Sequence, residues 1–161
     1  MTESVMTDLP TPLAQAHRRP DIQWWLSLGL SLIGLAVSAY LTWIKLTGRV
    51  ASCGSVGDCE SVNSSRYAEI AGIPIALLGA LGFLAVLALL VAESRSPSLA
   101  EGARLALFGV SLIGTLYSAY LSYIEVAVLR AVCPYCVISA IAMTAILVLG
   151  ILRLRMAGSD A

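Results

Sequence analysis

The sequence predicts an all-α membrane protein, a four-transmembrane-helix bundle built from two helix-hairpin repeats. Three observations support this prediction. Of the 161 residues, 58% are hydrophobic and only 12% are charged, whereas soluble domains carry about 25% charge. Four apolar runs each approach or exceed the roughly 20 residues that cross a bilayer as a helix. One stretch of sequence also occurs twice, once in the first apolar run and once in the third.

The apolar runs divide the chain into three parts. Residues 1–21 are polar and contain prolines, which predicts a flexible cytoplasmic tail. Residues 22–154 are the membrane domain, and residues 155–161 are a second cytoplasmic tail. Spanning helices are the simplest structure that satisfies this much backbone in lipid. We expect the spans at about 22–46, 73–92, 103–126 and 134–154.

Positive charge orients the predicted bundle. The two tails and the 93–104 stretch hold six arginines, against four Lys and Arg residues on the opposite side. The positive-inside rule therefore favours cytoplasmic termini and cysteines on the extracytoplasmic face, which is oxidising and suits disulfide chemistry. Arg104, Glu125 and Arg153 lie near span ends, where long side chains can reach the interface. Acidic and basic residues balance, so no basic field exists for nucleic acid.

Two stretches resemble each other at an offset of 80 residues. Ser31–Leu46 and Ser111–Val126 are identical at nine of sixteen positions, and Cys133 follows Cys53 at the same offset. Each repeat is expected to be a helix hairpin that presents one cysteine pair, both pairs at the same membrane face. Small residues share one helix face in each stretch, which favours close helix packing over lining a ligand site. They are Ser31, Gly34, Ser38 and Thr42, then Ser111, Gly114, Ser118 and Ser122.

The cysteines are the candidate chemical groups. Cys133 and Cys136 form a C-x-x-C at the head of the last span, where Pro134 suits the first helical position. Cys136 then falls in the first turn, where the helix dipole and free N–H groups favour the reactive thiolate. Cys53 and Cys59 lie in the longest loop, residues 47–72. Two glycines between them predict a pliable segment, as a shuttle needs.

Two cysteine pairs on one membrane face favour a dithiol relay. The alternatives are a non-catalytic protein stapled by disulfides and a four-cysteine zinc site. A relay needs a final electron acceptor, and the sequence has no flavin, haem or nicotinamide motif. By elimination, a lipid-soluble quinone that enters between the helices is the expected substrate, with no tightly bound cofactor.

These features resemble the vitamin K epoxide reductase family in its bacterial single-domain form. The resemblance rests on the loop pair, the run CESVNSSRY from Cys59 to Tyr67 and the C-x-x-C of the last span. It covers about residues 22–154. It implies a thiol:quinone oxidoreductase of the bacterial cytoplasmic membrane whose substrate is ubiquinone, menaquinone or a vitamin K type quinone. Because few residues follow the last span, it also implies a separate thioredoxin-like, disulfide-forming partner on the extracytoplasmic side.

The resemblance implies a role for each cysteine. Cys133 and Cys136 look like the catalytic pair, and Cys136 would face the quinone. Cys53 and Cys59 look like the shuttle disulfide. Cys53 would take electrons from the partner, and Cys59 would pass them to Cys133 through a mixed disulfide.

The resemblance also implies how the quinone is held. Ser65 matches a Ser/Thr whose hydroxyl hydrogen-bonds a quinone oxygen. Arg66 and Tyr67 match a basic-aromatic pair on a short amphipathic segment that caps the pocket between the first two spans. No metal site is expected.

Overall fold

The computed structural model describes residues 22–50, Cys53 and residues 57–159. The helices of this part of the chain are α1 Ile22–Thr47, α2 Cys59–Asn63, α3 Ile75–Arg95, α4 Pro97–Tyr123 and α5 Pro134–Ser159. All but α2 are long and apolar enough to cross a membrane. The predicted fold is therefore confirmed: the protein is an integral membrane protein with four spanning helices.

Several helix ends differ from the predicted spans. α4 begins at Pro97 rather than near residue 103, because proline's fixed φ suits the first helical position. α3 ends at Arg95 and α5 at Ser159, beyond the expected ends at 92 and 154. The two extensions, residues 93–95 and 155–159, contain glutamate, arginine, methionine and alanine, which are good helix formers, so these helices continue beyond the apolar runs. The predicted tail at residues 1–21 lies outside the described residues.

The four long helices form a closed ring. α1 packs against α3 and α5, and α4 packs against the same two helices. Their shared core contains Phe83, Val86, Leu90 and Ile146, each at most 2% exposed. Small residues permit this approach, since a Cβ on Gly34 would overlap the ring of Phe83. The α1 face of small residues thus packs helices together as predicted.

A buried ion cluster joins three helices at the end of the bundle opposite the cysteines. Oε1 of Glu93 accepts hydrogen bonds from Nε of Arg104 and from an Nη of Arg153, both at 2.7 Å. The Glu93 side chain is only 6% exposed. The two arginines of α4 and α5 therefore turn to a carboxylate on α3 rather than extending freely into the interface.

At the cysteine end, residues 59–74 fold back over the bundle as a cap segment. It contains α2, a short 3₁₀ helix at Arg66–Ala68, and the strands β1 Glu69–Ile70 and β2 Ile73–Pro74. Ala71 and Gly72 both have positive φ angles of 52° and 81°, as a two-residue hairpin turn requires. The sequence predicts a short amphipathic segment here but not this β-hairpin.

Lys45 at the end of α1 holds the cap segment in place. Its Nζ donates a hydrogen bond to the carbonyl oxygen of Asn63 at 2.6 Å and lies 3.1 Å from Oε1 of Glu69. These contacts tie both halves of the cap segment to the first span. The cap segment is thereby positioned over the space between the helices.

Candidate redox site

Three of the four cysteine sulfurs meet at one point. Cys53 and Cys59 form a disulfide with their Cα atoms 5.8 Å apart. Sγ of Cys133 lies 3.4 Å from Sγ of Cys59, and both of these residues are 1% exposed. Cys53 is more accessible, being half-buried. The structure thus brings the loop pair and the C-x-x-C within reach of thiol–disulfide exchange through Cys59 and Cys133.

Gly57 permits this close approach. Its φ is +103°, and a Cβ there would lie 2.5 Å from the carbonyl oxygen of Val132 and 2.8 Å from Cδ of Pro134. The next residue, Asp58, donates its N–H to the same Val132 oxygen at 3.1 Å. From composition alone, this glycine predicts only that the loop is pliable. The structure shows that it lets the loop lie directly on the start of α5.

Asp58 also starts the helix that carries Cys59. Its carboxylate accepts hydrogen bonds from the backbone N–H of Ser61 at 3.0 Å and from the Ser61 hydroxyl. These bonds hold the pKa of Asp58 below its usual value, so the cap is charged at neutral pH. The N-terminus of α2 is thereby fixed beside the cysteines.

Cys133 occupies the N-cap position of α5, because its carbonyl oxygen accepts the N–H of Val137 at 3.1 Å. A hydrogen bond from the Cys136 thiol, together with backbone N–H groups of the first turn, lowers the pKa of Cys133 to about 7. The expected thiolate on Cys136 stays a prediction, whereas these contacts favour the ionised form of Cys133. The N–H groups of the first turn and the Cys136 thiol both interact with the sulfur of Cys133.

Glu125 is a functional candidate that the sequence analysis missed. A π-helix, Ile124–Leu129, continues α4, and such segments occur often at functional sites. The Glu125 side chain is 5% exposed. Its Oε2 accepts the N–H of Cys133 at 3.2 Å, and its carboxylate hydrogen-bonds the Cys136 thiol. The sequence does contain a signal for this residue, because an ionisable side chain inside an apolar run often marks a functional site.

A cavity of about 460 Å³ opens between the helices beneath the cap segment. Its volume is in the range of about 300–1,000 Å³ that is usual for small-molecule sites. Both C-x-x-C cysteines and Glu125 line it at one end. The other polar side chains in its wall are Ser38, Asn63, Ser65, Tyr67, Tyr117, Ser118, Ser122 and Ser139, and the rest of the lining is apolar or glycine.

The predicted quinone contact, Ser65, lies in the wall of this cavity. Its hydroxyl is half-buried and donates to the carbonyl oxygen of Val62 at 2.8 Å. Tyr67 also lines the cavity, whereas Arg66 is exposed and lies outside the lining. Ser118 and Ser122, interpreted from the sequence as packing residues, are lining residues as well.

The positions of three cysteine sulfurs are also relevant to the alternative that the cysteines bind a metal ion. The Sγ atoms of Cys53, Cys59 and Cys133 all lie within 4.8 Å of one another. Metals bind thiolates, and a disulfide between Cys53 and Cys59 removes two of these ligands. With that bond formed, Cys133 is the free thiol of the three.

Four spanning helices, a loop disulfide and a buried C-x-x-C at a capped cavity define a class of membrane protein suited to thiol–disulfide redox chemistry. The sequence matches the vitamin K epoxide reductase family over residues 25–151, and the chain belongs to that family. It is also 36% identical over 110 residues to the thiol-disulfide oxidoreductase LTO1 of Arabidopsis thaliana. That match covers 64% of this chain and 29% of the relative's length. The family match and the cysteine geometry both support an oxidoreductase that acts on thiols.

Proposed function

We propose that this protein is a membrane thiol:quinone oxidoreductase that sustains disulfide bond formation. Electrons pass from a separate thioredoxin-like, disulfide-forming protein to Cys53–Cys59, then to Cys133–Cys136, and finally to a membrane quinone. The observation that carries the proposal is the 3.4 Å contact between the sulfurs of Cys59 and Cys133. This contact joins the two cysteine pairs beside a cavity that Cys136 lines.

The first half of the reaction is thiol–disulfide exchange. The Cys59 thiolate attacks Cys133 of the oxidised C-x-x-C, a Cys59–Cys133 bond forms, and the Cys136 thiolate leaves. Cys53 then attacks Cys59, which restores the loop disulfide and releases Cys133 as a thiolate. A thiol of low pKa leaves faster in such exchange, and the pKa of Cys133 is lowered to about 7. This supports Cys133 as the leaving sulfur of the second step.

The second half is reduction of the quinone. Cys133 and Cys136 lose two electrons and two protons in total as their disulfide forms, and the quinone gains the same number to become a hydroquinone. The largely apolar cavity suits a lipid-soluble ring, and the Ser65 hydroxyl in its wall suits a quinone oxygen. Ubiquinone, menaquinone and vitamin K type quinones share this ring chemistry.

The partner is proposed to meet the protein at Cys53. This sulfur is more exposed than those of Cys59 and Cys133, so an outside thiolate reaches it first. We propose that the cysteines lie on the extracytoplasmic face of a bacterial cytoplasmic membrane, with both termini in the cytoplasm, because Arg95, Arg104 and Arg153 lie at the helix ends opposite the cysteines. The relative's description as a thiol-disulfide oxidoreductase supports the thiol half of the proposal.

The test is quinone reduction by the purified protein in detergent with a dithiol donor, wild type against Cys136→Ala. We expect turnover in the wild type and none in the variant, since the variant lacks the sulfur that closes the second disulfide. A thermal unfolding curve like that of the wild type controls for folding. A folded wild-type protein that reduces none of the three quinone types contradicts the proposal. Metal analysis would then test the alternative of a disulfide-stapled or metal-binding protein.

A further inference from the structure

The cavity holds an acid that the relay described so far does not use. Among the described residues that line it, Glu125 is the only carboxylic acid. It lies within the span Ser98–Leu129 and pairs with no cation among the described residues. Ionisable groups in such positions are costly, and they commonly mark proton or substrate paths.

We propose that Glu125 is the catalytic residue that takes the proton of the Cys136 thiol and delivers it to the quinone. This inference deepens the proposed function and rests on it. The carboxylate contacts the reacting thiol on one side and the space for the quinone on the other. General acid–base transfer of this kind needs hydrogen-bond contact with the group that gives the proton.

Hydrogen bonds hold the Glu125 carboxylate in a position suited to this proton transfer. One oxygen is fixed by the N–H of Cys133 at 3.2 Å, and the carboxylate hydrogen-bonds the Cys136 thiol. The carbonyl oxygen of Glu125 accepts the N–H groups of Arg130 and Ala131, so the end of the π-helix is tied as well. Backbone and side chain together fix the carboxyl group against the C-x-x-C.

The proton and electron balance is complete. The reduced pair begins as a Cys133 thiolate and a Cys136 thiol. As the sulfur–sulfur bond forms, two electrons pass to the quinone and the Cys136 proton passes to Glu125. Glu125 gives this proton to a quinone oxygen and returns to its carboxylate form. Water supplies the second proton, which replaces the one that Cys133 lost when it ionised.

The test separates the two halves of the reaction in Glu125→Gln. Glutamine keeps the shape and an oxygen for the Cys133 N–H but carries no transferable acid proton. Quinone reduction is measured in a single turnover of the reduced C-x-x-C, in a background with Cys53 and Cys59 replaced by alanine. Exchange is measured in the four-cysteine protein by alkylation and mass spectrometry.

We expect Glu125→Gln to slow quinone reduction by about 100-fold or more, the usual size of an acid–base contribution, and to leave exchange near the wild-type rate. The matched control is Glu101→Gln, an exposed position near the other end of α4, for which both rates are expected to be unchanged. Quinone reduction at the wild-type rate in Glu125→Gln overturns the inference. Equal losses in both halves also overturn it, because they indicate a purely structural role.

A second pair of variants decides the matter if Glu125→Gln does not fold. Glu125→Asp and Glu125→Asn have the same shape, and only the first carries an acid. Quinone reduction at least about tenfold faster with aspartate supports the proton transfer, and equal rates overturn it. A wild-type protein that exchanges thiols but reduces no quinone overturns the proposed function and this inference together.

Discussion

Two buried glutamates, one at each end of the bundle, differ in what surrounds them. Glu93 shares one oxygen with two arginines, each at 2.7 Å, and ties three helices together. Glu125 contacts a backbone N–H and a thiol and has no ion pair among the described residues. A charge-compensated carboxylate stabilises the fold, whereas an uncompensated one beside reactive sulfurs is available for chemistry.

The two ends of the bundle also differ in packing and in the regularity of the backbone. At the Glu93 end, Trp24 donates its indole N–H to the carbonyl oxygen of Leu90 at 3.1 Å, and the core residues around it are closely packed. At the Glu125 end lie the cavity, the π-helix and Arg130 in the left-handed region at φ 51°. Irregular backbone is thus concentrated where the proposed chemistry takes place.

The largest expected effect is at the structural end. Glu93→Ala leaves the two arginines without their shared carboxylate, and we expect the free energy of unfolding to fall by about 3 kcal/mol. Quinone turnover of the protein that is still folded is expected to be unchanged. Denaturant unfolding in detergent and the activity of the folded fraction measure the two quantities. Glu101→Ala, at an exposed position, is the control and is expected to change stability by less than about 0.5 kcal/mol.

A smaller effect is expected where the loop meets α5. Gly57→Ala places a Cβ against Val132 and Pro134 and moves the Cys59 sulfur away from Cys133. We expect the rate of exchange between the two cysteine pairs to fall by about tenfold or more. Gly48→Ala is the control, because its φ of +63° is also positive and nothing lies within 4 Å of the added Cβ. Equal slowing in both variants would show that strain, not contact, matters.

The smallest effect is expected at the cavity wall. Ser65→Ala removes one hydroxyl next to the quinone, which is worth about 1 kcal/mol or about fivefold in the KM for quinone. Exchange between the cysteine pairs is expected to be unaffected. Ser64→Ala serves as the control, since the Ser64 hydroxyl is exposed, bonds to the carbonyl oxygen of Glu60 and lies outside the cavity lining. An equal rise in KM for both variants would assign the effect to the cap segment as a whole.

The sequence predicts the spans and both cysteine pairs because long apolar runs and cysteine spacing are local signals. It does not predict the orientation of Glu125, because a π-helix turns the end of α4 away from the regular helical period. The repeat aligns Glu125 with Lys45, and in the structure each of these residues binds the segment that follows its own helix. That shared role appears only once the distant contacts are formed.

Two other features of the site, at Gly57 and at Cys133, also depend on contacts that form only in the folded protein. The role of Gly57 depends on Val132 and Pro134, which lie far along the chain, so composition alone predicts only pliability. The lowered pKa of Cys133 depends on which sulfur receives the hydrogen bond from the other. Spacing identifies the C-x-x-C pair, but the hydrogen bonds at the sulfur of Cys133 form only at the folded start of α5.

The most direct test of the relay is to trap its mixed disulfide. In the double variant Cys53→Ala with Cys136→Ala, only Cys59 and Cys133 are left, and mild oxidation should join them in nearly every molecule, as mass spectrometry of the linked peptides would show. The control, Cys59→Ala with Cys133→Ala, leaves Cys53 and Cys136 and is expected to stay largely unlinked. Free thiols at Cys59 and Cys133 after oxidation, in a protein that folds normally, would contradict electron transfer between the two pairs along this path.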